Sequence, residues 1–392
     1  MPALNMCSVL FVGGGQREMG EEESGFVDME WCLALPKIEL HAHLNGSVRD
    51  ATLLELAKDL GNKGVLVFSD VEHVIKKSDR SLAECFKLFD LIHIITTDHA
   101  TVSRITKEVV EDFAAENVVY LELRTTPKTN ETIGMTKSSY VEAVMKGLRA
   151  VETVEVVLSP CASTLEPEPS TSVNDASTKK KQGRIFVCLL LSIDRRETTA
   201  SAMETVQLAL KMRNQGVVGL DLSGNPITGD WITFLPALSC AREQGLPITL
   251  HCGEVRNPKE IKAMLEFCPE RIGHACCLED EEWKMLKSLN IPVEICLTSN
   301  VRTNSISSLH DHHFDDLYRV NHPLILCTDD VGIFSTSLSH EYYLAASTFG
   351  LSKAQMFELS RGAIRHIFAQ DGVKAFLNEV FDSAQTGLLW RK

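Results

Sequence analysis

Eight short apolar segments, each followed by a stretch of helical periodicity, limit what this chain can fold into. They lie at residues 37–43, 118–126, 185–193, 217–222, 247–251, 271–274, 292–297 and 323–328. Runs such as Val187-Cys-Leu-Leu-Leu-Ser-Ile193 are apolar almost throughout, as strands are in a parallel sheet whose faces are covered. Eight strand–helix units predict an α/β fold closed as a (β/α)8 barrel of TIM type, in preference to an open doubly wound sheet. Extra helices are expected after the first strand. Ser47 reads as the N-cap of a helix with Leu53, Leu54, Ala57 and Leu60 on one face, stopped by Gly61. Residues 82–95 and 102–115 repeat apolar side chains at three-and-four spacing. Ser352 and Gln355 form a capping box for a C-terminal helix to Ala369, with one more helix behind it.

Residues 1–34 are expected to be a disordered leader, Gly-rich and then acidic (Glu21, Glu22, Glu23), and residues 35–385 a single barrel domain. Residues 159–183 are rich in Ser, Thr, Pro and Glu and contain Lys179-Lys180-Lys181. Such a segment buries too little apolar surface to offset its ordering entropy, so it reads as a flexible insertion before the third strand. The net charge of -14 argues against a nucleic acid polymer or an anionic membrane as partner, while a few local donors can still hold a small anion. No apolar run reaches the length of a membrane span, and the N-terminus lacks the cationic start of a signal peptide. The 12 cysteines form no C-x-x-C pair, and Cys188, Cys252, Cys296 and Cys327 sit inside apolar runs. Small buried thiols suit a reducing compartment, here the cytosol. A monomer is expected.

In β/α barrels the site lies at the C-terminal ends of the strands. The first strand ends His41-Ala42-His43, so both imidazoles share one face. The fifth ends in His251, and the eighth runs into Asp329-Asp330. Three imidazoles, His41, His43 and His251, and one carboxylate of the Asp329-Asp330 pair suit one zinc-type ion that keeps an open position. Glu254 beside His251, and His274 at the end of the sixth strand, are general acid–base candidates.

These segments resemble those of the adenosine deaminase family: P-K-I-E-L-H-A-H-L-N-G-S (36–47), D-L-S-G-N-P (221–226), H-C-G-E (251–254), R-I-G-H-A (271–275), L-T-S-N (297–300) and C-T-D-D (327–330). The resemblance implies a zinc-dependent barrel that hydrolyses the 6-amino group of adenine compounds. It implies one zinc on His41, His43, His251 and Asp329, and Glu254 as proton donor to purine N1. His274 would orient and deprotonate the attacking water. Asp330 would hydrogen-bond the base and the attacking hydroxyl, and Gly224 would admit the purine edge.

One departure bears on substrate. Nucleoside-specific family members carry aspartate two residues after the second ligand histidine, where this chain has Asn45. A 5′-phosphate facing that aspartate would meet a like charge, at a cost of about 1–4 kcal/mol at about 4 Å. With L-R-T-T-P-K (123–128) and S-I-D-R-R-E (192–197), the chain resembles the branch of the family acting on N6-methyl-AMP, its plant members above all. That branch would convert N6-methyl-AMP to IMP and methylamine. The resemblance then adds His43, Asn45, His93, Thr125, Thr126, Pro127, Lys128 and Asp194 to the nucleotide-binding set. Other readings of the residues remain open: His93 as a structural histidine on an apolar helix, and Asp194 as the ion-pair partner of Arg195 or Arg196. So do a deaminase of free adenosine and a catalytically dead nucleoside-binding homologue.

Overall fold

The computed structural model describes residues 26–77, 81–96, 98–158 and 183–389. Residues 1–25 of the expected leader and 159–182 of the expected insertion lie outside the described residues. Nine strands are described: β1 (Lys37–His43), β2 (Val118–Thr125), β3 (Glu155–Val157), β4 (Arg184–Asp194), β5 (Val217–Ser223), β6 (Ile248–Cys252), β7 (Arg271–His274), β8 (Val293–Ile295) and β9 (Leu324–Leu326). Eight of them run parallel in the order β1-β2-β4-β5-β6-β7-β8-β9, the order that right-handed strand–helix–strand crossovers produce. The first and last edges meet just past β9. There Ala42 bridges to Asp329, with His43 N–H donating to Asp329 O at 3.1 Å and Asp329 N–H to His41 O at 2.7 Å. The sheet therefore closes into the expected barrel.

Alternation along the strands decides what fills it. Ile38, Leu40 and Ala42 of β1 and Leu121 and Leu123 of β2 belong to one continuous apolar core. The alternate residues Lys37, Glu39 and His41, and Tyr120, Glu122 and Arg124, are buried just as fully. Asp221, Thr249, Arg271 and Glu294 continue this second set on β5, β6, β7 and β8, and hydrogen bonds join them to one another. The barrel interior is thus a polar, ion-paired layer, where such barrels ordinarily stack branched apolar side chains.

Between β1 and β2 the chain inserts helices α2 (Asp50–Asn62), α3 (Phe68–Lys76), α4 (Leu82–Ile95) and α5 (His99–Ala115), after a first helix α1 (Met29–Ala34). In α5, Val102, Ile105, Val109, Val110 and Phe113 are buried at three-and-four spacing, each contributing about 1.5–3 kcal/mol of transfer free energy. Asp98 caps its N-terminus by accepting from Thr101 N–H at 2.9 Å.

Several boundaries differ from expectation. Ordered structure begins before residue 35: Asp28 caps α1, whose Trp31 and Cys32 are buried, and Trp31 Nε1 donates to Leu388 O at 3.1 Å. Ser47 caps nothing, because α2 starts at Asp50 after an uncapped Arg49, and the helix runs one residue past Gly61. Leu297 opens a helix, Leu297–Arg302, rather than ending β8. The helix from Lys353 ends at Gly362 and continues as one 3-10 turn, short of Ala369. The short β3 pairs in parallel with the start of β4 and was not foreseen. Among the described residues, no helix is long and apolar enough to cross a membrane.

Candidate active site

At the C-terminal mouth of the barrel, β1 supplies His41 and His43, β6 supplies His251, and the chain just past β9 supplies Asp329. One ligand-type atom from each lies within 4.8 Å of all the others. His41 Nε2 and His43 Nε2 each sit 3.1 Å from His251 Nε2, and both lie 3.4–3.5 Å from Asp329 Oδ1. These four separations are short enough for the atoms to share one ion with bonds of about 2.0–2.1 Å.

The far sides of two rings explain why the near sides need a cation. His41 Nδ1 bonds Glu294 Oε2 at 2.7 Å, and His251 Nδ1 bonds Asp221 Oδ1 at 3.0 Å. A carboxylate accepts only, so each Nδ1 carries a proton and each Nε2 points inward. Burial lowers the His251 pKa, but Asp221 outweighs it and raises it to about 9, so the space at Nε2 favours a positive charge, which a metal ion would supply in place of a second proton. His43 is held neutral, its pKa pushed down to about 3 by burial and by the neighbouring His251. Burial alone would raise the Asp329 carboxyl, but the surrounding imidazoles hold it well below its usual range. The donor set fits a zinc-type ion.

The carboxylates behind the rings are fixed in turn. Glu294 is gripped by Arg124 and by Arg271 Nε at 2.6 Å, and accepts from Thr249 Oγ1 at 3.0 Å. Asp221 accepts from Ser192 Oγ at 2.9 Å and Arg124 Nη1 at 3.2 Å. Sequence reading missed all of these. Their signal was charge at alternate positions of otherwise apolar strands, as in L-E-L-R (121–124) and V-E-I (293–295).

Local backbone makes room for the ligands. A Cβ on Gly273 would come within 2.6 Å of His41 Cε1, and one on Gly46 within 1.6 Å of Asp330 Oδ1, so both positions require glycine. Strict alternation after Gly273 would turn His274 away from the site. Instead His274 and Asp329 adopt left-handed backbone, at φ 68° and 65°, a conformation costing about 1–3 kcal/mol each and concentrated at functional sites. His313 Nε2 donates to His274 O at 2.7 Å, and Ser299 Oγ to Asp329 Oδ2 at 2.7 Å.

Beside the cluster stand three titratable groups. Burial, helped by Asp329, pushes the Glu254 carboxyl up to about 7, so it holds a proton near neutrality. Burial and the adjacent Asp329 raise Asp330 well above the carboxylate range, and its Oδ1 has no partner. His274 is pushed well below its usual range by burial, and its Nε2 lies 3.7 Å from Glu254 Oε1.

A cavity of about 190 Å³ leads from these groups to solvent. Of the expected substrate residues it is lined by His43, Asn45, His93, Thr125, Thr126, Asp194, Gly224, Glu254 and Asp330. Asn45 is buried and its Oδ1 has no partner. Pro127 and Lys128 do not line the cavity: Pro127 is buried, and Lys128 turns back to place Nζ 3.2 Å from Thr96 Oγ1. Asp194 does pair with Arg196, at 2.8 Å, and Arg196 also reaches Asp90 at 3.1 Å. Arg196, Ser223, Asn225 and Ser299 line the cavity without having been foreseen: Arg196 and Asn225 lie in loops, Ser223 ends β5 and Ser299 lies in the helix Leu297–Arg302, with no spacing that links them.

The family model described as Adenosine deaminase matches residues 36–384. A protein of Arabidopsis thaliana named N6-mAMP deaminase is 65% identical over 356 residues, covering 91% of this chain and 99% of that protein. The N6-Methyl-AMP deaminase of Homo sapiens is 37% identical over 366 residues, covering 91% of this chain and 95% of its own length. Among solved structures, Arabidopsis ADAL complexed with IMP matches with a TM-score of 0.85 at 63% identity, covering 91% of this chain and 99% of that one.

Proposed function

We propose that this chain, which belongs to the adenosine deaminase family, is a zinc-dependent hydrolase converting N6-methyl-AMP and water to IMP and methylamine. One observation carries the reading: the cavity that ends on the metal-type cluster also presents His93 and Arg196, with Lys128 behind its lining, and these groups suit a phosphate. His93 is pushed down to about 3 by burial, Lys128 and Arg196, and Lys128 down to about 7 by burial and Arg196. A dianion brought among them would reverse that mutual repulsion and gain charge-assisted hydrogen bonds. Asn45 stands where a nucleoside enzyme would place a carboxylate. Relatives named for this substrate support the same choice.

On this reading His41, His43, His251 and Asp329 hold zinc, which when bound supplies Lewis-acid activation of water at neutral pH. Glu254, kept protonated by burial, donates to N1 of the purine, which leaves C6 electron-poor and open to attack. Asp330 directs its unpartnered oxygen to the base and the attacking oxygen. His274 orients that oxygen from the opposite side, and Gly224 lets the purine edge lie against backbone. Thr125 and Thr126, with His93 and Asp194, bind the sugar and phosphate, while Lys128 reaches the phosphate only on leaving Thr96. Burial of these groups excludes bulk water, so each dipole acts at full strength.

Incubating the zinc-loaded protein with N6-methyl-AMP should release methylamine and IMP in equal amounts. Glu254→Gln should bind substrate with similar affinity and lose about 10²–10⁴ in kcat, since an amide has no proton to give. No methylamine from the wild type, or near-normal kcat in Glu254→Gln, would overturn the reading.

A further inference from the structure

Behind His274 runs a chain of hydrogen bonds that leads away from the substrate cavity. Its Nδ1 lies 3.0 Å from Asn300 Nδ2, Asn300 Oδ1 lies 3.1 Å from His312 Nε2, and His312 Nδ1 receives the backbone N–H of Phe314 at 3.0 Å. His274, Asn300 and His312 are each at most 2% exposed. Direction along this chain is forced from its far end. A backbone N–H can only donate, so His312 Nδ1 presents a lone pair and the ring's proton sits on Nε2. That Nε2–H needs an acceptor, which turns the Asn300 carbonyl towards His312 and its NH2 towards His274. An amide NH2 can only donate, so His274 Nδ1 accepts. The neutral His274 ring therefore carries its proton on Nε2, the nitrogen that is buried without a partner and faces the site.

We propose that Asn300 and His312 are positioning residues that hold His274 as the Nε2–H tautomer, so that it donates a hydrogen bond to the attacking oxygen instead of taking its proton. The chemical consequence rests on the deaminase reading above; the tautomer does not. Sequence resemblance cast His274 as the group that deprotonates water, and a ring nitrogen already bearing a proton cannot do so. To free Nε2, His274 would move its proton to Nδ1, the Asn300 amide would turn over, and His312 would exchange tautomers. The sequence would end with an imidazole N–H against the N–H of Phe314. The proton lost by the attacking water passes instead to Glu254, whose carboxylate is free once its own proton has gone to purine N1, and the hydroxyl proton left on C6 goes to the departing methylamine. His313 supports the same geometry from outside the chain, donating to the His274 carbonyl at 2.7 Å and stacking on His312 with ring centroids 4.3 Å apart.

The test is a long-range ¹H–¹⁵N correlation spectrum of the zinc-loaded, full-length protein with ¹⁵N-labelled histidine. His274 is assigned by difference against His274→Gln or His274→Asn. No substrate is needed, so failure here and failure of the substrate assignment are separate results. The expected spectrum has an unprotonated Nδ1 and a protonated Nε2 on His274. In Asn300→Asp the carboxylate should draw the proton to Nδ1, and kcat on N6-methyl-AMP should fall about 10- to 100-fold with KM within about threefold. His312→Gln, whose amide can accept from Phe314 and donate to Asn300, should keep the wild-type tautomer, and His312→Phe should not. A wild-type His274 protonated on Nδ1, or an Asn300→Asp spectrum unchanged at His274, would overturn the proposal. The wild-type spectrum decides even if a variant fails to fold.

Discussion

Glu294 touches no substrate, yet it fixes both the proton and the orientation of His41, at 2.7 Å. Replacing it by glutamine keeps the volume and removes the charge that makes Nδ1 a donor. Glu294→Gln should therefore weaken zinc binding about 10- to 100-fold, as read by competition with a chelator. Unchanged affinity would mean that packing alone orients His41. The contrast between His41 and Glu294 also shows what the sequence makes legible at this scale. His41, His43 and His251 could be read because each falls at a strand end and two share an H-x-H, while the Asp329-Asp330 pair offered a carboxylate and the resemblance singled out Asp329. Glu294, Asp221 and Arg124 could not, because a charge inside an apolar strand reveals its partners only once the barrel closes. Lys128 was placed by resemblance, and its actual direction depends on a hydrogen bond to Thr96, 32 residues away in the chain.

Strand β1 shows how one element serves both ends of the barrel. Its inward residues run from Lys37 at the bottom through Glu39 to His41 and His43 at the mouth. Glu39 ties the closing seam by accepting from His41 N–H at 2.7 Å, Thr328 N–H at 3.0 Å and Thr328 Oγ1 at 2.8 Å. Lys37, fully buried, donates to Cys32 O at 2.6 Å and Leu35 O at 2.7 Å. Burial lowers its pKa from 10.5 to about 7. Between those values the unfolded chain binds more protons than the folded one, so this group makes stability rise with pH from about 7 to about 10.5. Lys37→Met should lower stability by about 1–3 kcal/mol through the two carbonyls left without a donor. The gap in Tm between wild type and Lys37→Met should widen from pH 7 to about pH 9.5; a constant gap would mean that Lys37 stays charged in the fold. The periodicity that located β1 carried its partners only in part. Helix α1 went unforeseen because its six residues have too few turns to show a period, and Trp31 is fixed by Leu388 at the other end of the chain.

At the scale of the whole molecule, Leu158 and Gly183, which flank residues 159–182, lie by the start of β4, while the site lies at the C-terminal ends of the strands. The chain enters residues 159–182 after β3 and returns at the start of β4, where Glu155 pairs with Arg184. The cavity opens at the other end of the strands, beside Asp194. Deleting about twenty residues of this segment should leave kcat/KM and Tm nearly unchanged, because shortening a long loop changes closure entropy only slightly; a large loss of folded yield would show that the segment packs. Eight apolar segments in register were enough to foresee the barrel. The polar filling of its interior was not, since it depends on which alternate residues face one another across strands far apart in the chain. The central claim, that this barrel selects a nucleotide, turns on Asn45. The most direct measurement is kcat/KM for N6-methyl-AMP, AMP and adenosine on wild type and on Asn45→Asp. The account expects N6-methyl-AMP to be the best substrate of the wild type and adenosine a poor one. Asn45→Asp should penalise both nucleotides by about 1–4 kcal/mol, roughly 5- to 10³-fold, and adenosine far less. Adenosine equal to or better than N6-methyl-AMP on the wild type would contradict it.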